Sequence, residues 1–307
     1  MTALCRVDAL RETYYRWRIK FIEAAFSRLP VSGLARPVFV VGCGRSGKST
    51  LAGLLSRHPE VLCLDEPRHL WFSAFPQADI WTSKAIERRG RIALDGQDYN
   101  AARARRLRRL FRVQAIRHDR STVLEELAIN SFRLPLIREV FPQARFIHVY
   151  RNGLEVAELI QQAAERGGWF GTNDYKWQQL AAYAALYPAT ADLPELCDDF
   201  YDRGLLEWRL STEAVVSFFQ TLPRESYLEI NSKALFDTPG RVVQQVYQLL
   251  GLTGDTNAPT TDVVFHRSSA GIARSVSAKE RLIGGDILDR AMCCPEGLVD
   301  GSPQATV

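Results

Sequence analysis

The chain lacks the residue patterns that build metal sites, disulfide frameworks and hydrolytic triads. It has six cysteines: Cys5, Cys43, Cys63, Cys197, Cys293 and Cys294. None forms a C-x-x-C pair and most lie in apolar runs, so we expect thiols of a reducing compartment rather than zinc ligands. There are only five histidines, and no combination of serine, histidine and aspartate suggests a triad.

Long hydrophobic runs and a strong charge of one sign are missing as well. No apolar run approaches the roughly 20 residues that a membrane-spanning helix needs, and the N-terminus shows no signal-peptide core. The net charge is only +4 at pH 7, which suits an anionic ligand but does not indicate nucleic acid. We therefore expect a cytoplasmic protein without a transmembrane segment or a nucleic-acid partner.

What is present is typical of a globular protein. Among 307 residues, 46% are hydrophobic, which is enough for a sizeable core. We predict an N-terminal amphipathic helix and linker (1–35), an α/β domain (36–255), and a C-terminal loop and tail (256–307). The basic, aromatic N-terminal helix is expected to pack on its own domain or on a partner subunit. Weak contact with a membrane surface is the alternative, and the oligomeric state is not indicated.

Residues 38–51, VFVVGCGRSGKSTL, are the most informative segment. Gly42, Gly47, Lys48 and Ser49 satisfy the phosphate-loop pattern G-x-x-x-x-G-K-[ST] in full. A strand, a glycine turn and a helix N-terminus together form a cradle for anions. A plain glycine turn would not explain why Arg45 and Lys48 lie within it, so we predict that residues 42–50 bind a phosphate group.

A second strand–turn–helix unit follows later in the chain. Strand 145–150 runs directly into Arg151, as strand 38–41 runs into the loop that contains Arg45. Basic residues just after two strands predict a parallel sheet whose ligand lies at the carboxyl ends of the strands. The expected fold class is α/β, a P-loop-containing fold with a central parallel sheet and helices on both faces. Further strands are predicted at 61–64 and 227–230, and helices near 49–57, 102–113, 131–140, 176–190, 203–220 and 239–251.

Taken alone, the phosphate loop predicts a kinase or NTPase. Such enzymes hold Mg²⁺ with an acidic residue on a later strand. The acids of VLCLDE come immediately after the first helix, and strand 145–150 ends in Arg151 where a magnesium site would place an aspartate. An arginine there suits a second phosphate better than a metal, and the kinase or NTPase is kept as an alternative.

The order of motifs resembles that of sulfotransferases that use 3′-phosphoadenosine 5′-phosphosulfate (PAPS), especially bacterial members and the related tyrosylprotein sulfotransferases. GRSGKSTLAGLLSRHPEV is similar to their 5′-phosphosulfate loop, and LDEPRHLW to the acidic element that follows. INSFRLPLIREVFPQARFIHVYRNGLEVA is similar to their 3′-phosphate region. WFGTNDYKWQQL and LPRESYLEI…LLGL match the family layout, so the resemblance runs from about 38 to 252.

This resemblance implies roles for individual residues. Arg45 would contact the sulfuryl oxygens, and Lys48 would act with it on the transferring group. Glu66 would be the general base, and Arg68 would orient that carboxylate or the acceptor. Arg151 would bind the 3′-phosphate that distinguishes PAPS from ATP. The backbone and hydroxyls of the loop would wrap the 5′-phosphosulfate through Gly44, Arg45, Ser46, Gly47, Lys48, Ser49 and Thr50. The resemblance implies no metal. The product would be adenosine 3′,5′-bisphosphate (PAP).

Three positions depart from the family pattern. Relatives usually read E-K-x-P-x-N where this chain has Glu125-Glu126-Leu-Ala-Ile-Asn130, so an acid replaces the customary lysine. Leu159 replaces a serine that helps hold the 3′-phosphate, and Ser232 stands where many relatives have a tyrosine. Our hypothesis is that Lys48 restores the lost cation or pairs with Glu126. A relative that binds PAP without turnover is therefore a further alternative.

Other candidates are weaker. The segment 266–282 corresponds to a family loop that closes over the donor, and Arg274 and Ser275 could contact the 3′-phosphate. His69 is an alternative base near Glu66. The acceptor is expected to be a small molecule, glycan or peptide with a hydroxyl group, and an amine is the alternative. Six aromatic residues could line an apolar acceptor pocket: Trp71, Phe72, Phe75, Trp81, Trp169 and Phe170.

Overall fold

Five short parallel strands form one sheet at the centre of the fold. The computed structural model describes residues 37–171, 174–254 and 275–288. The strands are β1 (Val38–Val41), β2 (Val61–Leu64), β3 (Thr122–Glu125), β4 (Arg145–Tyr150) and β5 (Tyr227–Asn231). Their order in the sheet is β2-β3-β1-β4-β5, and every neighbouring pair is parallel.

The register brings the carboxyl ends of the strands to one edge. Phe39 of β1 pairs with Glu125 of β3, and Leu64 of β2 pairs with that same residue. On the other side of β1, Val41 pairs with His148 of β4. The segments that follow β1, β2, β3 and β4 therefore begin side by side, at the edge where parallel sheets bind their ligands.

Helices cover both faces of the sheet. They are α1 (Lys48–Leu55), α2 (Arg68–Ala74), α3 (Ala101–Arg117), α4 (Leu134–Val140), α5 (Gly153–Glu165), α6 (Tyr175–Ala184), α7 (Phe200–Phe219), α8 (Ala234–Asp237), α9 (Pro239–Leu250) and α10 (Ala278–Gly284). Because side chains alternate along a strand, Phe39 and Val41 join the core beneath α3, α4 and α7, whereas Val38 and Val40 join the core beneath α1 and α9. The predicted fold class is confirmed.

Some element boundaries differ from those that the sequence predicts. β3 was not predicted, because its four residues show no clear apolar run. They follow an arginine-rich helix, and the last of them is the first of two adjacent glutamates. The predicted helix 131–140 begins only at Leu134, after a short 3-10 helix (Ala128–Phe132). The helix predicted to reach residue 190 ends at Ala184, since Pro188 disfavours helical backbone before it.

The last described segment, 275–288, is fixed against α7. The Nη1 atom of Arg209 donates to the carbonyls of Leu282 and Ile283 at 3.1 and 3.3 Å. The hydroxyl of Tyr201 donates to Glu280 at 2.7 Å. We call residues 275–288 the C-terminal anchor. The N-terminal helix and most of the proposed closing loop, including Arg274, lie outside the described residues.

Along the described ranges, no helix is long and apolar enough to cross a membrane. Cys43, Cys63 and Cys197 are free thiols, and burial is the main cause that raises the pKa of each to about 12. Burial therefore favours the protonated form of these three thiols at neutral pH.

Candidate active site

The phosphate loop between β1 and α1 depends on glycine at two positions of positive φ. Gly42 has φ of 124°, and a Cβ there would lie 2.3 Å from the carbonyl oxygen of Val149. Gly47 has φ of 103° and precedes the first residue of α1. The backbone N–H of Gly42 donates to the hydroxyl of Ser131 at 2.9 Å. The loop thus packs directly on β4 and leaves the N-terminus of α1 facing the sheet edge.

Lys48 is buried beneath this loop. Its Nζ atom donates to the carbonyls of Gly42 and Cys43 at 3.1 and 2.7 Å. Burial lowers the pKa of its ammonium group, and the nearby Glu126 and Glu66 carboxyl groups act in the opposite direction. The structure forms no ion pair between Lys48 and Glu126, so the direct salt bridge that the sequence raised as a hypothesis is not observed.

A cavity of about 950 Å³ opens above the phosphate loop. Most of the site residues expected from the sequence line it: Gly44, Arg45, Gly47, Lys48, Ser49, Thr50, Glu66, Arg68 and Arg151. Ser46 is buried behind the loop, and its hydroxyl has no hydrogen-bond partner. His69 and the exposed Ser275 are not among the lining residues.

Glu66 and Arg68 follow β2 at the cavity wall. Glu66 has φ of 36°, and its carboxylate, which is 38% exposed, forms an ion pair with Arg68. The guanidinium of Arg68 also lies 5.0 Å from the ring centre of Trp81. Arg68 is thus held between a carboxylate and an aromatic face, and both members of the ion pair line the cavity.

Arg151 follows β4 and reaches the same cavity from the other side of β1. It is 8% exposed, and its Nε atom donates to Glu155 at 2.6 Å. The indole of Trp208 donates to the Arg151 carbonyl at 3.0 Å, which fixes the backbone there. Leu159, one helical turn beyond Glu155 in α5, also lines the cavity.

Glu126 follows β3 and is the most deeply buried carboxylate in the cavity wall. It is 3% exposed, and its Oε2 atom has no hydrogen-bond partner. Burial raises the pKa of this carboxyl group to about 8; Lys48 opposes that shift, and Asp65 adds to it. The Ser49 hydroxyl also interacts with the carboxyl group.

The sequence matches the model of the sulfotransferase family over residues 37–256. The chain belongs to the sulfotransferase family. No curated protein is similar enough in sequence to be matched.

Solved sulfotransferase structures are similar to this chain at low sequence identity. The sulfotransferase STF9 from Mycobacterium avium is 13% identical with a TM-score of 0.52, over 83% of this chain and 75% of that one. A sulfotransferase from Alicyclobacillus acidocaldarius is 16% identical with a TM-score of 0.46, over 84% and 93%. The sulfotransferase domain of the Synechococcus PCC 7002 olefin synthase is 16% identical with a TM-score of 0.46, over 83% and 95%.

Sequence reasoning missed part of the cavity of this sulfotransferase-family chain. Two exposed arginines, Arg57 and Arg166, line it together with Gln162 and Phe236. Arg57 lies two residues beyond the end of α1 and Arg166 directly follows α5, so each follows a helix whose start was recognised as part of the site. They were missed because the family pattern assigns neither position a role, although Arg57 lies within the segment GRSGKSTLAGLLSRHPEV.

Trp169 covers the phosphate loop. Its Nε1 atom donates to Glu207 at 2.7 Å, and the ammonium of Lys176 lies 3.9 Å from its ring centre. A Cβ at Gly44 would lie 1.9 Å from this ring. Of the aromatic residues predicted for an acceptor pocket, Trp169 alone lines this cavity, whereas Trp71, Phe72, Phe75 and Phe170 are buried in the core.

Proposed function

We propose that this protein transfers a sulfuryl group from PAPS to an acceptor hydroxyl. One observation supports the proposal most: a single cavity gathers the phosphate loop, the Glu66–Arg68 pair and Arg151 at the carboxyl edge of the sheet. Family membership supports sulfuryl transfer as the reaction class.

The residues of the cavity fit a donor with two separate anionic groups. Backbone N–H groups at the start of α1 and the Lys48 ammonium favour an anion at the loop. Arg151 follows the neighbouring strand β4 and would provide a second cationic position, for a 3′-phosphate. A volume of about 950 Å³ is sufficient for a nucleotide and part of an acceptor.

Glu66 would accept a proton from the acceptor. The bound donor would supply an activated sulfuryl group, and transfer would leave PAP. As the acceptor oxygen forms its bond to sulfur, its proton would pass to the Glu66 carboxylate. The Arg68 guanidinium pairs with that carboxylate, and Arg45 and Lys48 would stabilise the negative charge that develops in the transition state.

A kinase or NTPase remains the second candidate, because Glu126 follows β3 near Ser49 of the phosphate loop, where an acid can serve a magnesium nucleotide. A relative that binds PAP without turnover is the third. That alternative is supported by Leu159 in the cavity wall and by the pairing of Arg151 with Glu155.

Calorimetric titration with PAP, and separately with ATP plus Mg²⁺, tests the donor. We expect micromolar binding of PAP that Arg151→Ala weakens about tenfold or more, since a charge-assisted contact contributes about 1.5–3 kcal/mol. Arg145→Ala removes an arginine from the opposite end of the same strand and should leave PAP binding unchanged. A preference for magnesium-ATP would contradict the proposal and support a kinase or NTPase. A wild-type protein that binds PAP but sulfates no hydroxyl acceptor would be the non-catalytic relative.

A further inference from the structure

Trp81 is the aromatic residue of the predicted acceptor pocket that neither lines the cavity nor is fully buried in the core. It is partly buried and packs against the core. Two guanidinium groups lie over its ring, that of Arg68 at 5.0 Å from the ring centre and that of Arg133 at 5.5 Å. Arg68 lines the cavity, whereas Arg133 is fully buried. The indole therefore connects a cation of the site to a cation of the core.

Buried contacts fix the position of the Trp81 ring. Its backbone N–H donates to the Oδ1 atom of the fully buried Asp79 at 3.1 Å. The Nη2 atom of Arg133 donates to the carbonyl of Ala78 at 2.7 Å, and its Nε atom donates to the carbonyl of Ile92 at 3.0 Å. These charge-assisted hydrogen bonds hold the chain on both sides of Trp81, so the ring is a rigid surface rather than part of a loose loop.

Arg68 requires a contact of this kind, because its ion pair alone holds it weakly. The side chains of Arg68 and Glu66 are 42% and 38% exposed, and water and salt screen an ion pair at such positions. A planar guanidinium over an indole face gains a second attractive contact. The Nε atom of Arg68 is buried although it has no hydrogen-bond partner, so this part of the side chain lies against the protein rather than in solvent.

We propose that Trp81 is a positioning residue for Glu66. Its ring fixes the guanidinium of Arg68, and the ion pair transmits that fixed position to the Glu66 carboxylate. Trp81 does not line the cavity, so it acts through Arg68 and not by touching the donor or the acceptor. The role of Glu66 as the base rests on the proposed function, whereas the contact between Trp81 and Arg68 does not.

Nuclear magnetic resonance of the full-length protein with isotope-labelled arginine tests the contact without any reaction. Protons over an aromatic face resonate upfield, so we expect the Nε–H signal of Arg68 upfield of its position in the unfolded protein. Arg68→Lys assigns the signal by removing it. Trp81→Leu should return the signal towards the unfolded position, and Trp81→Phe should retain part of the shift. An unshifted Arg68 signal in the wild-type protein would overturn the inference, even if no variant at Trp81 folds.

Initial rates with PAPS and para-nitrophenol, together with calorimetry with PAP, test the consequence for the site. We expect Trp81→Leu to lower kcat about tenfold or more, because a small misplacement of a catalytic group costs at least this factor. The affinity for PAP should not change, and Trp81→Phe should recover most of the lost rate. The matched control is Trp177→Leu, which removes an indole that has Arg203 at 4.9 Å and lies outside the cavity. It should leave kcat unchanged.

A double-substitution cycle separates positioning from a general loss of structure. In an Arg68→Ala background, Trp81→Leu should lower kcat no further, because both residues act through one contact. Additive effects, or the wild-type kcat in Trp81→Leu, would overturn the inference and leave Glu66 as the base. Loss of PAP binding in Trp81→Leu would show an effect on the whole cavity and would also overturn it. If the wild-type protein sulfates neither para-nitrophenol nor any other hydroxyl acceptor, the proposed function fails, and the Arg68 signal alone decides whether Trp81 fixes this arginine.

Discussion

At the scale of single residues, the Glu66–Arg68 pair carries the proposed chemistry. We expect Glu66→Gln to reduce sulfuryl transfer about 100-fold or more, because a general base typically contributes at least this factor. The affinity for PAP should change little, since the substitution removes no cation from the loop. Initial rates with PAPS and a hydroxyl acceptor measure the first effect, and calorimetry measures the second. Full activity in this variant would exclude Glu66 as the base and direct attention to His69.

Glu125, the neighbour of Glu126, has a structural role. It is fully buried and accepts hydrogen bonds from the Trp71 indole at 3.2 Å and from the Asn130 amide at 3.0 and 3.1 Å. Its position beneath the site explains why two adjacent glutamates differ: one points into a satisfied network, and the other points into the cavity.

We expect Glu125→Ala to lower the free energy of unfolding by about 2–4 kcal/mol, because two buried donors lose their acceptor and a small cavity forms. Urea denaturation followed by circular dichroism measures this change. Trp71→Phe removes one donor and keeps most of the ring, so it should cost less than Glu125→Ala. Equal stability of Glu125→Ala and the wild-type protein would show that the network contributes nothing.

At the scale of elements, the phosphate loop and Trp169 constrain each other. The ring is fixed by Glu207 and Lys176, and it lies where a side chain at Gly44 would project. We expect Gly44→Ala to weaken PAP binding about tenfold, since overpacking costs about 1–3 kcal/mol and the loop is the part able to shift. The double variant Gly44→Ala/Trp169→Ala removes the clash and should recover part of that loss relative to Trp169→Ala alone. Additive effects of the two substitutions would refute this contact.

The sequence predicts the elements whose local pattern is complete. β1, the glycine loop and α1 follow one another without interruption, and their apolar run, turn and helix start are all visible. β3 is different, because it has only four residues and becomes a strand through pairing with β1 and β2 on both sides. Missing β3 also hid the proximity of Asp65 and Glu126, which are separated by about 60 residues and become neighbours only through the strand order.

At the scale of the whole molecule, the C-terminal anchor is part of the folded unit. Ile283 is fully buried against α7, whereas the adjacent Leu282 is 55% exposed. We expect Ile283→Ala to lower the free energy of unfolding by about 2–4 kcal/mol, and Leu282→Ala to change it by less than about 0.5 kcal/mol. Thermal denaturation of the two variants measures the difference. Equal melting temperatures would show that the anchor is not needed for the stability of the fold.

The position of this anchor bears on the predicted domain division. The anchor packs on α7, so residues 275–282, which form the C-terminal part of the proposed donor-closing loop, belong to the folded unit. Sequence composition alone indicated a polar, irregular tail after residue 255. It could not indicate the anchor, because seven helical residues gain their stability from the packing of Ile283 and from the contacts of Arg209.

The hydrogen bonds from Lys48 to carbonyls of its own loop affect the expected kinetics of ligand binding. Because its ammonium group is already held by the carbonyls of Gly42 and Cys43, the proposed anion site would be formed before any ligand arrives, and no slow rearrangement of the loop would precede binding. Encounter would then be guided by the exposed Arg45, Arg57 and Arg166 around the cavity. The association rate constant for PAP should therefore be high and fall steeply as ionic strength rises, while the dissociation rate constant changes far less. Stopped-flow mixing at two salt concentrations would distinguish this preformed site from one that closes around its ligand.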